Sequence, residues 1–127
     1  MKILITGDKG YIGSILVKYL HDFNYEVFGF DTCFFEMCNL SQPFNRYYSI
    51  KKDIRDLQGN DINNVDAVIH LAALSNDPLG ELKYGITEEI NRDASIRVAE
   101  IAKKNKVKKF IYMSSQSMYG ISDSSNE

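Results

Sequence analysis

The chain has 127 residues, of which 44% are hydrophobic and 25% are charged, and its formal net charge is −2. This length fits one domain with a substantial core. The charge gives no general attraction to nucleic acid or to anionic membranes, and no apolar run approaches the roughly 20 residues of a membrane span. The N-terminal residues lead into an apolar run without a signal-peptide pattern, so we expect a cytoplasmic protein.

Neither a disulfide nor a metal site is expected. Cys33 and Cys38 are interpreted as reduced thiols, because a cytoplasmic compartment does not favour disulfides. The two histidines, His21 and His70, are far from the cysteine pair in sequence, which disfavours a zinc site. The five lysines within 103–109 follow a predicted helix and match the negative end of its dipole better than a nucleic-acid patch.

The hydrophobic pattern alternates between strand-like and helix-like segments. Short apolar runs predict strands, and apolar side chains at helical spacing predict helices. Such alternation predicts a parallel sheet with helices on both faces. In chain order, the predicted elements are strand 2–5, helix 11–23, strand 26–30, loop 32–46, strand 47–50, short helix or turn 56–64, strand 67–71, helix 82–105 and strand 110–113.

Three glycines follow the first predicted strand and open the first helix. Gly7, Gly10 and Gly13 are spaced so that the backbone can approach a pyrophosphate closely, while the helix N-terminus offers amide donors and a positive partial charge. A tight strand-to-helix turn without a ligand is the alternative. A P-loop is excluded, because no Gly-Lys-Ser/Thr follows.

Asp31 directly follows the second predicted strand, 18 residues after Gly13. A carboxylate in this place accepts hydrogen bonds from the adenosine ribose and repels a 2′-phosphate. No lysine or arginine occurs between Asp31 and Arg46 to offset that repulsion, which favours NAD over NADP. By itself Asp31 could also be a turn residue at a strand end.

Five segments together resemble the extended short-chain dehydrogenase/reductase family of nucleotide-sugar epimerases and dehydratases. The resemblance implies a Rossmann-like doubly wound α/β/α fold, with a five-stranded parallel sheet in the order 3-2-1-4-5, and NAD as the cofactor. The segments are the G-x-x-G-x-x-G spacing of residues 7–13, "KDIRD" at 52–56, "HLAA" at 70–73, Asn91, and "SSQSMYG" at 114–120.

The same resemblance assigns roles to individual residues. Other interpretations stay open: Asp53 could cap a turn, Asn91 could lie on the surface, and His70 is taken as a satisfied, half-buried imidazole without a catalytic role. The family pattern places pyrophosphate on Gly7, Gly10, Tyr11 and Ile12, ribose on Asp31, and adenine on Asp53 and Ile54. The other cofactor-binding residues that it indicates are Gly13, Leu71, Ala72, Ala73 and Asn91.

Ser115 falls where the family keeps the hydroxyl that hydrogen-bonds the reacting sugar, although a loop serine contacting backbone is the alternative. The family's proton acceptor is a Tyr-x-x-x-Lys pair on the next helix. Tyr47-x-x-x-Lys51 and Tyr48-x-x-x-Lys52 fit that spacing, but they lie on the adenine side, so we reject them.

The resemblance implies that residues 1–127 form the NAD-binding Rossmann domain of a longer enzyme, ending before the Tyr-x-x-x-Lys helix and the substrate domain. We therefore expect a nucleotide-sugar substrate for the whole protein and no turnover by the 127 residues alone. The edge of the fifth strand is expected to favour self-association. A non-catalytic NAD(H)-binding sensor that contacts a partner is the alternative function.

Overall fold

The computed structural model describes residues 1–35, 38, 44–74 and 84–115. Five parallel strands form one sheet in the order β3-β2-β1-β4-β5, which confirms the expected fold. The elements are β1 (Lys2–Thr6), α1 (Tyr11–Asp22), β2 (Glu26–Asp31), β3 (Tyr48–Lys51), two 3₁₀ turns (Ile54–Asp56 and Gly59–Ile62), β4 (Ala67–His70), α2 (Tyr84–Glu88), a π-helical turn (Glu89–Ala94), α3 (Ser95–Lys104) and β5 (Lys109–Tyr112).

The strand boundaries agree with the sequence pattern to within one or two residues. The predicted helix 82–105 is described from Tyr84 onward and contains the π-helical turn Glu89–Ala94, which the 3.6-residue pattern did not indicate. Residues 82 and 83, and residues 36, 37 and 39–43 of the predicted loop, lie outside the described residues. Within the described ranges, no helix is both long and apolar enough to cross a membrane.

Hydrophobic side chains fill both faces of the sheet. Along β1, Ile3 and Ile5 face α1, whereas Leu4 faces α3, because successive side chains of a strand point to opposite faces. Val17 of α1 completes the first layer, and Val98 of α3 belongs to the second. The sheet is therefore covered on both sides, giving the predicted three layers.

β5 forms one edge of the sheet. Among the described residues its only strand partner is β4, through the register Ala67–Lys109 to His70–Tyr112. Ile111 and Tyr112 are 46% and 51% exposed. The self-association expected at this edge stays a prediction.

All five strands are parallel, so their C-terminal ends lie side by side along the C-terminal edge of the sheet. This edge runs across the strands and differs from the edge that β5 forms. At this edge Thr6 of β1 is the register partner of both Phe30 and His70, and His70 is the partner of Tyr112. The loops that leave these strands therefore lie side by side. This edge is where open α/β sheets bind ligands.

Candidate functional site

The glycine loop is packed too tightly for side chains at two of its three glycines. Gly7 has φ +75°, and an added Cβ would lie 2.8 Å from the Ala72 nitrogen of the segment after β4. A Cβ on Gly13 would overlap the Gly7 carbonyl oxygen. Gly7 N–H donates to Phe30 O at 2.8 Å, which closes the loop against the end of β2. The three glycines thus leave a bare backbone surface between β1 and α1.

The N-terminus of α1 adds amide donors to this surface. Gly10 is the N-cap and has no side chain to accept from the first turn, which also contains no acidic residue. The first amide of the helix to bond back is that of Ser14, which donates to Gly10 O at 3.0 Å. Tyr11 and Ile12 are 72% and 53% exposed. Free amides and the positive end of a helix dipole together form a site for an anion.

Asp31 lies at the end of β2 beside the glycine loop. Its Oδ2 accepts the Lys9 N–H at 3.1 Å, and its Oδ1 accepts the Cys33 N–H at 2.7 Å. These two amides fix the carboxylate in place. Since each carboxylate oxygen has two acceptor sites, Asp31 can still accept hydrogen bonds from two ligand hydroxyls.

Two lysines near Asp31 were missed by the sequence interpretation, because they are distant along the chain. Lys51 is the register partner of Asp31 across β2 and β3. Lys9 lies in the glycine loop, with its ammonium 4.8 Å from the centre of the Tyr47 ring. Positive charge therefore lies closer to the ribose position than the lysine-free segment after Asp31 suggested. The preference for NAD over NADP stays a prediction.

A directional chain of hydrogen bonds joins the ends of β1 and β4 to the π-helical turn. The Ser95 hydroxyl donates to Asn91 O at 2.8 Å, so its oxygen accepts from Nε2–H of His70 at 2.9 Å. The unprotonated Nδ1 of His70 accepts the Thr6 hydroxyl at 2.7 Å, and Thr6 Oγ1 accepts the Ala72 N–H at 3.3 Å. The Ser95 donor places a proton on Nε2 of His70, so the neutral ring is the Nε2–H tautomer.

Burial keeps the imidazole of His70 neutral. His70 is 1% exposed and stacks against the rings of Phe110 and Tyr112 of β5, at centroid distances of 6.2 and 5.9 Å. Burial lowers the pKa of His70 to about 4. Both ring nitrogens are engaged within the protein, which agrees with the interpretation of His70 as a satisfied imidazole, although it is more deeply buried than expected.

Asn91 holds the segment that follows β4. Its side-chain oxygen accepts the Leu74 N–H at 2.8 Å, and its amide nitrogen donates to Leu74 O at 2.9 Å. Leu71 and Ala72 are partly buried in this segment and Ala73 is exposed. The surface alternative for Asn91 is therefore not supported. A direct contact between Asn91 and the cofactor stays a prediction.

Asp53 caps the first 3₁₀ turn, as the alternative interpretation allowed. Its Oδ1 accepts the Arg55 N–H at 2.9 Å, and Arg55 also forms an ion pair with Oδ2 at 2.8 Å. The Arg55 side chain thereby lowers the pKa of Asp53. Ile54 is 6% exposed and belongs to the core beneath. The adenine contacts of both residues stay predictions.

Ser115 lies just after β5, at the same edge of the sheet as the glycine loop. The Met113 amide still donates to His70 O at 3.2 Å, so the β4–β5 ladder continues one residue past β5. Ser115 is exposed. Residues 116–120 of the motif lie outside the described residues.

The structure separates the rejected Tyr-x-x-x-Lys matches from Ser115. Tyr47 precedes β3 and Tyr48 begins it, whereas Ser115 follows β5 at the opposite side of the sheet. Four strand spacings of about 4.8 Å amount to roughly 19 Å. Burial, with the Asp8 hydrogen bond adding to it, raises the pKa of Tyr47 far above its ordinary value. A proton-accepting tyrosine requires the opposite shift.

Comparison with known proteins identifies the family. The sequence model of the "NAD dependent epimerase/dehydratase family" matches residues 3–127. The chain belongs to this family. The match confirms the resemblance drawn from the five segments.

Relatives and solved structures agree. UDP-glucose 4-epimerase of Bacillus subtilis (strain 168) is 32% identical over 98% of this chain and 40% of that protein. The UDP-N-acetylglucosamine 4-epimerase of Methanobrevibacter ruminantium M1, solved with UDP-N-acetylmuramic acid, is 31% identical with a TM-score of 0.87, over 99% of this chain and 41% of that one. DesIV, a dTDP-glucose 4,6-dehydratase of Streptomyces venezuelae solved with NAD and TYD, is 26% identical with a TM-score of 0.83, over 98% of this chain and 42% of that one. The chain thus spans about two fifths of the length of these proteins.

The residues at this edge fit the family's cofactor. NAD carries a pyrophosphate between two nucleosides, so its site needs close backbone approach, amide donors and an acceptor for ribose. The bare glycine surface and the first turn of α1 meet the first two needs. The fixed carboxylate of Asp31 meets the third.

Proposed function

We propose that this chain is the NAD-binding part of an enzyme that epimerises or dehydrates a nucleotide sugar. The observation that carries the proposal is the meeting of three features at one edge of the sheet: the side-chain-free glycine loop, the fixed carboxylate of Asp31, and the Ser115 segment after β5. The family supplies the reaction class, and the geometry supports the assignment of residues.

The chain's own residues divide the work of holding the cofactor. The backbone of Gly7 to Gly13 and the first turn of α1 hold the pyrophosphate, and Asp31 accepts the ribose hydroxyls. The segment 71–74 lines the cofactor site beside the glycine loop. Hydrogen bonds to the side chains of Thr6 and Asn91 hold this segment in place. When bound, NAD accepts a hydride from the sugar ring.

Ser115 acts on the sugar. It extends from the strand next to β4, beside the segment that follows β4, and there its hydroxyl orients the sugar hydroxyl from which the proton leaves. The proton acceptor itself is a Tyr-x-x-x-Lys pair, which we place outside these 127 residues. On this proposal, the 127 residues bind NAD without turning over a sugar.

The test uses the complete gene product. We expect NADH absorbance to appear in single-turnover reactions with at least one of UDP-glucose, UDP-N-acetylglucosamine and dTDP-glucose. Ser115→Ala should lower that rate by roughly ten- to a thousandfold, the range for one hydrogen bond at a reacting centre. The dissociation constant of the Ser115→Ala variant for NADH should stay within about twofold of the wild-type value, because Ser115 faces the substrate.

Ser114→Ala is the matched control, since it removes a neighbouring hydroxyl from the same segment. It should leave the rate within about threefold of wild type. If the protein binds NADH but none of the nucleotide sugars reduces bound NAD, the non-catalytic sensor is favoured. Equal rates for Ser115→Ala and wild type would remove Ser115 from the site.

A further inference from the structure

A buried carboxylate lies under the glycine loop, where the sequence pattern requires only a spacer. Asp8 follows Gly7 and has no exposed surface. Its Oδ2 accepts the Tyr47 hydroxyl at 2.7 Å and the Ser49 hydroxyl at 2.9 Å. These partners are 39 and 41 residues away, immediately before β3 and within it. Asp8 therefore connects the glycine loop to a strand two places across the sheet.

The surrounding chain leaves room for this carboxylate and covers it. Gly29 of β2 lies between β1 and β3, and a Cβ there would overlap the Asp8 carboxylate. A Cβ on Gly29 would also lie 2.6 Å from the Ser49 hydroxyl oxygen. The Lys9 ammonium lies over the Tyr47 ring. A glycine in the middle of a strand weakens it, so its presence here is explained by the space that the buried network requires.

Asp8 is placed to control the geometry of both ligand-binding features around it. Gly7, on one side, carries the backbone that packs against Ala72. Lys9, on the other, donates its amide to Asp31. A shift of Asp8 would move the two residues that shape the phosphate surface and orient the ribose acceptor.

We propose that Asp8 is a positioning residue that fastens the glycine loop to the β3 region through Tyr47 and Ser49 and so pre-forms the cofactor site. This inference rests on the NAD-binding part of the proposed function, and it assigns Asp8 no contact with the cofactor. Pre-forming a loop raises affinity, because the ordering cost is met before the ligand binds.

Opposing influences act on the protonation of the Asp8 carboxyl group. Burial raises the pKa of Asp8, with nearby Asp31 adding to the effect, while the two hydroxyl donors and Lys9 oppose it. Within the described residues, the other oxygen, Oδ1, has no hydrogen-bond partner. An asparagine keeps one acceptor oxygen of the same reach for the Tyr47 and Ser49 hydroxyls, but it places two amide donors where Oδ1 has no partner. It should therefore keep the anchoring of the loop at some cost in stability.

The test is NADH titration of the complete gene product and its variants, by calorimetry or fluorescence. Asp8→Ala should weaken NADH binding by about tenfold, because the glycine loop loses the one or two hydrogen bonds that order it before NADH binds. Asp8→Asn should bind within about threefold of wild type. Tyr47→Phe should weaken binding by roughly threefold, and the Asp8→Ala, Tyr47→Phe double variant should be no weaker than Asp8→Ala alone, because both act through one contact.

Asp66→Ala is the matched control. Asp66 is also a hydrogen-bonded aspartate, accepting Lys2 N–H at 2.9 Å, but it lies at the opposite end of the sheet. It should lower thermal stability without changing NADH affinity. An equal loss of affinity in Asp66→Ala and Asp8→Ala would mean general destabilisation and overturn the proposal.

The remaining outcomes separate this proposal from the one before it. A wild-type protein that binds no NADH would defeat the proposed function, and this inference with it. A wild-type protein that binds NADH, together with Asp8→Ala of unchanged affinity, would overturn only the role of Asp8. Asp8→Asn as weak as Asp8→Ala would overturn the hydrogen-bond explanation. If Asp8→Ala does not fold, unchanged affinity in Tyr47→Phe overturns the proposal.

Discussion

The glycine-loop region and the β5 region of the same sheet edge differ in how completely the chain builds them. Around the loop, Thr6 and Asp8 are fully buried, Thr6 bonding to His70 of the neighbouring β4 and Asp8 to Ser49 of β3, two strands away. On β5, by contrast, Ile111 and Tyr112 are about half exposed, and β4 is the only strand partner among the described residues. The chain's own contacts hold the first region in place, whereas the second presents half-exposed side chains among the described residues.

This difference has a functional consequence. A change in the loop region should damage cofactor binding directly, because the surface there is held by contacts within the chain. A change near Ser115 should spare cofactor binding and affect turnover. Each variant below tests whether the loop region is as rigid and as specific as its contacts indicate.

The largest effect is expected from Gly13→Ala. The new Cβ would overlap the Gly7 carbonyl oxygen, so the loop and the first turn of α1 must separate. We expect NADH binding to weaken by at least about a hundredfold, since the amide donors lose their common orientation. Titration of NADH measures it, with circular dichroism to check that the protein still folds.

Gly85→Ala is the control for the glycine-to-alanine change. An added Cβ at Gly85 of α2 meets nothing within 4 Å, so this variant should bind NADH normally. It should also be more stable by about 0.5–1 kcal/mol, from the higher helix propensity of alanine. Normal NADH binding by Gly13→Ala would show that the loop is not packed as described.

The next effect concerns acid stability through His70. Its pKa of about 4 in the folded protein lies below its ordinary value of 6.5. As the pH falls, His70 therefore takes up a proton in the unfolded chain before it does so in the folded protein. The stability that is present above pH 6.5 is lost as the pH falls from 6.5 to about 4. The loss amounts to roughly 3 kcal/mol in the free energy of unfolding.

Urea unfolding of wild type and His70→Gln at pH 7, 5.5 and 4 measures this loss. His70→Gln should be less stable at pH 7 but lose markedly less stability on acidification. Parallel slopes for His70→Gln and wild type would contradict the buried, neutral imidazole.

A smaller effect is expected from Asn91→Ala. Removing its two hydrogen bonds to Leu74 frees the segment after β4, which lies against Gly7. NADH binding should weaken by about three- to tenfold, because the two hydrogen bonds no longer hold the segment after β4 in place. Asn105→Ala, which removes a side-chain bond to Ile101 O at the end of α3, should leave NADH affinity unchanged.

The features that the sequence predicted correctly are those that depend on short-range pattern. The order of strands, loop and helix around Gly7 to Gly13 could be read directly, because a βα turn is encoded within about a dozen residues. The position of Asp31 followed from the same unit. Both depend on neighbours in the chain.

The features that the sequence did not reveal depend on strands meeting in space. The sequence interpretation assigned no role to Asp8, because its partners Tyr47 and Ser49 belong to another part of the chain. Lys51 was missed for the same reason: only the parallel register brings it beside Asp31. An unexpected acidic residue inside a glycine loop, with a glycine in the middle of the next strand, was the available signal for the buried network.

The most direct test of the account is a pair of titrations, with NADH and with NADPH, on wild type and Asp31→Ala. The central claim is that this edge of the sheet is an NAD site with Asp31 on the ribose hydroxyls. Wild type should bind NADH at least about tenfold more tightly than NADPH, because the carboxylate repels a 2′-phosphate. Asp31→Ala should lose most of that preference, the more so because Lys9 and Lys51 remain nearby. Equal affinity of the wild type for both nucleotides, or an unchanged preference in Asp31→Ala, would contradict the account.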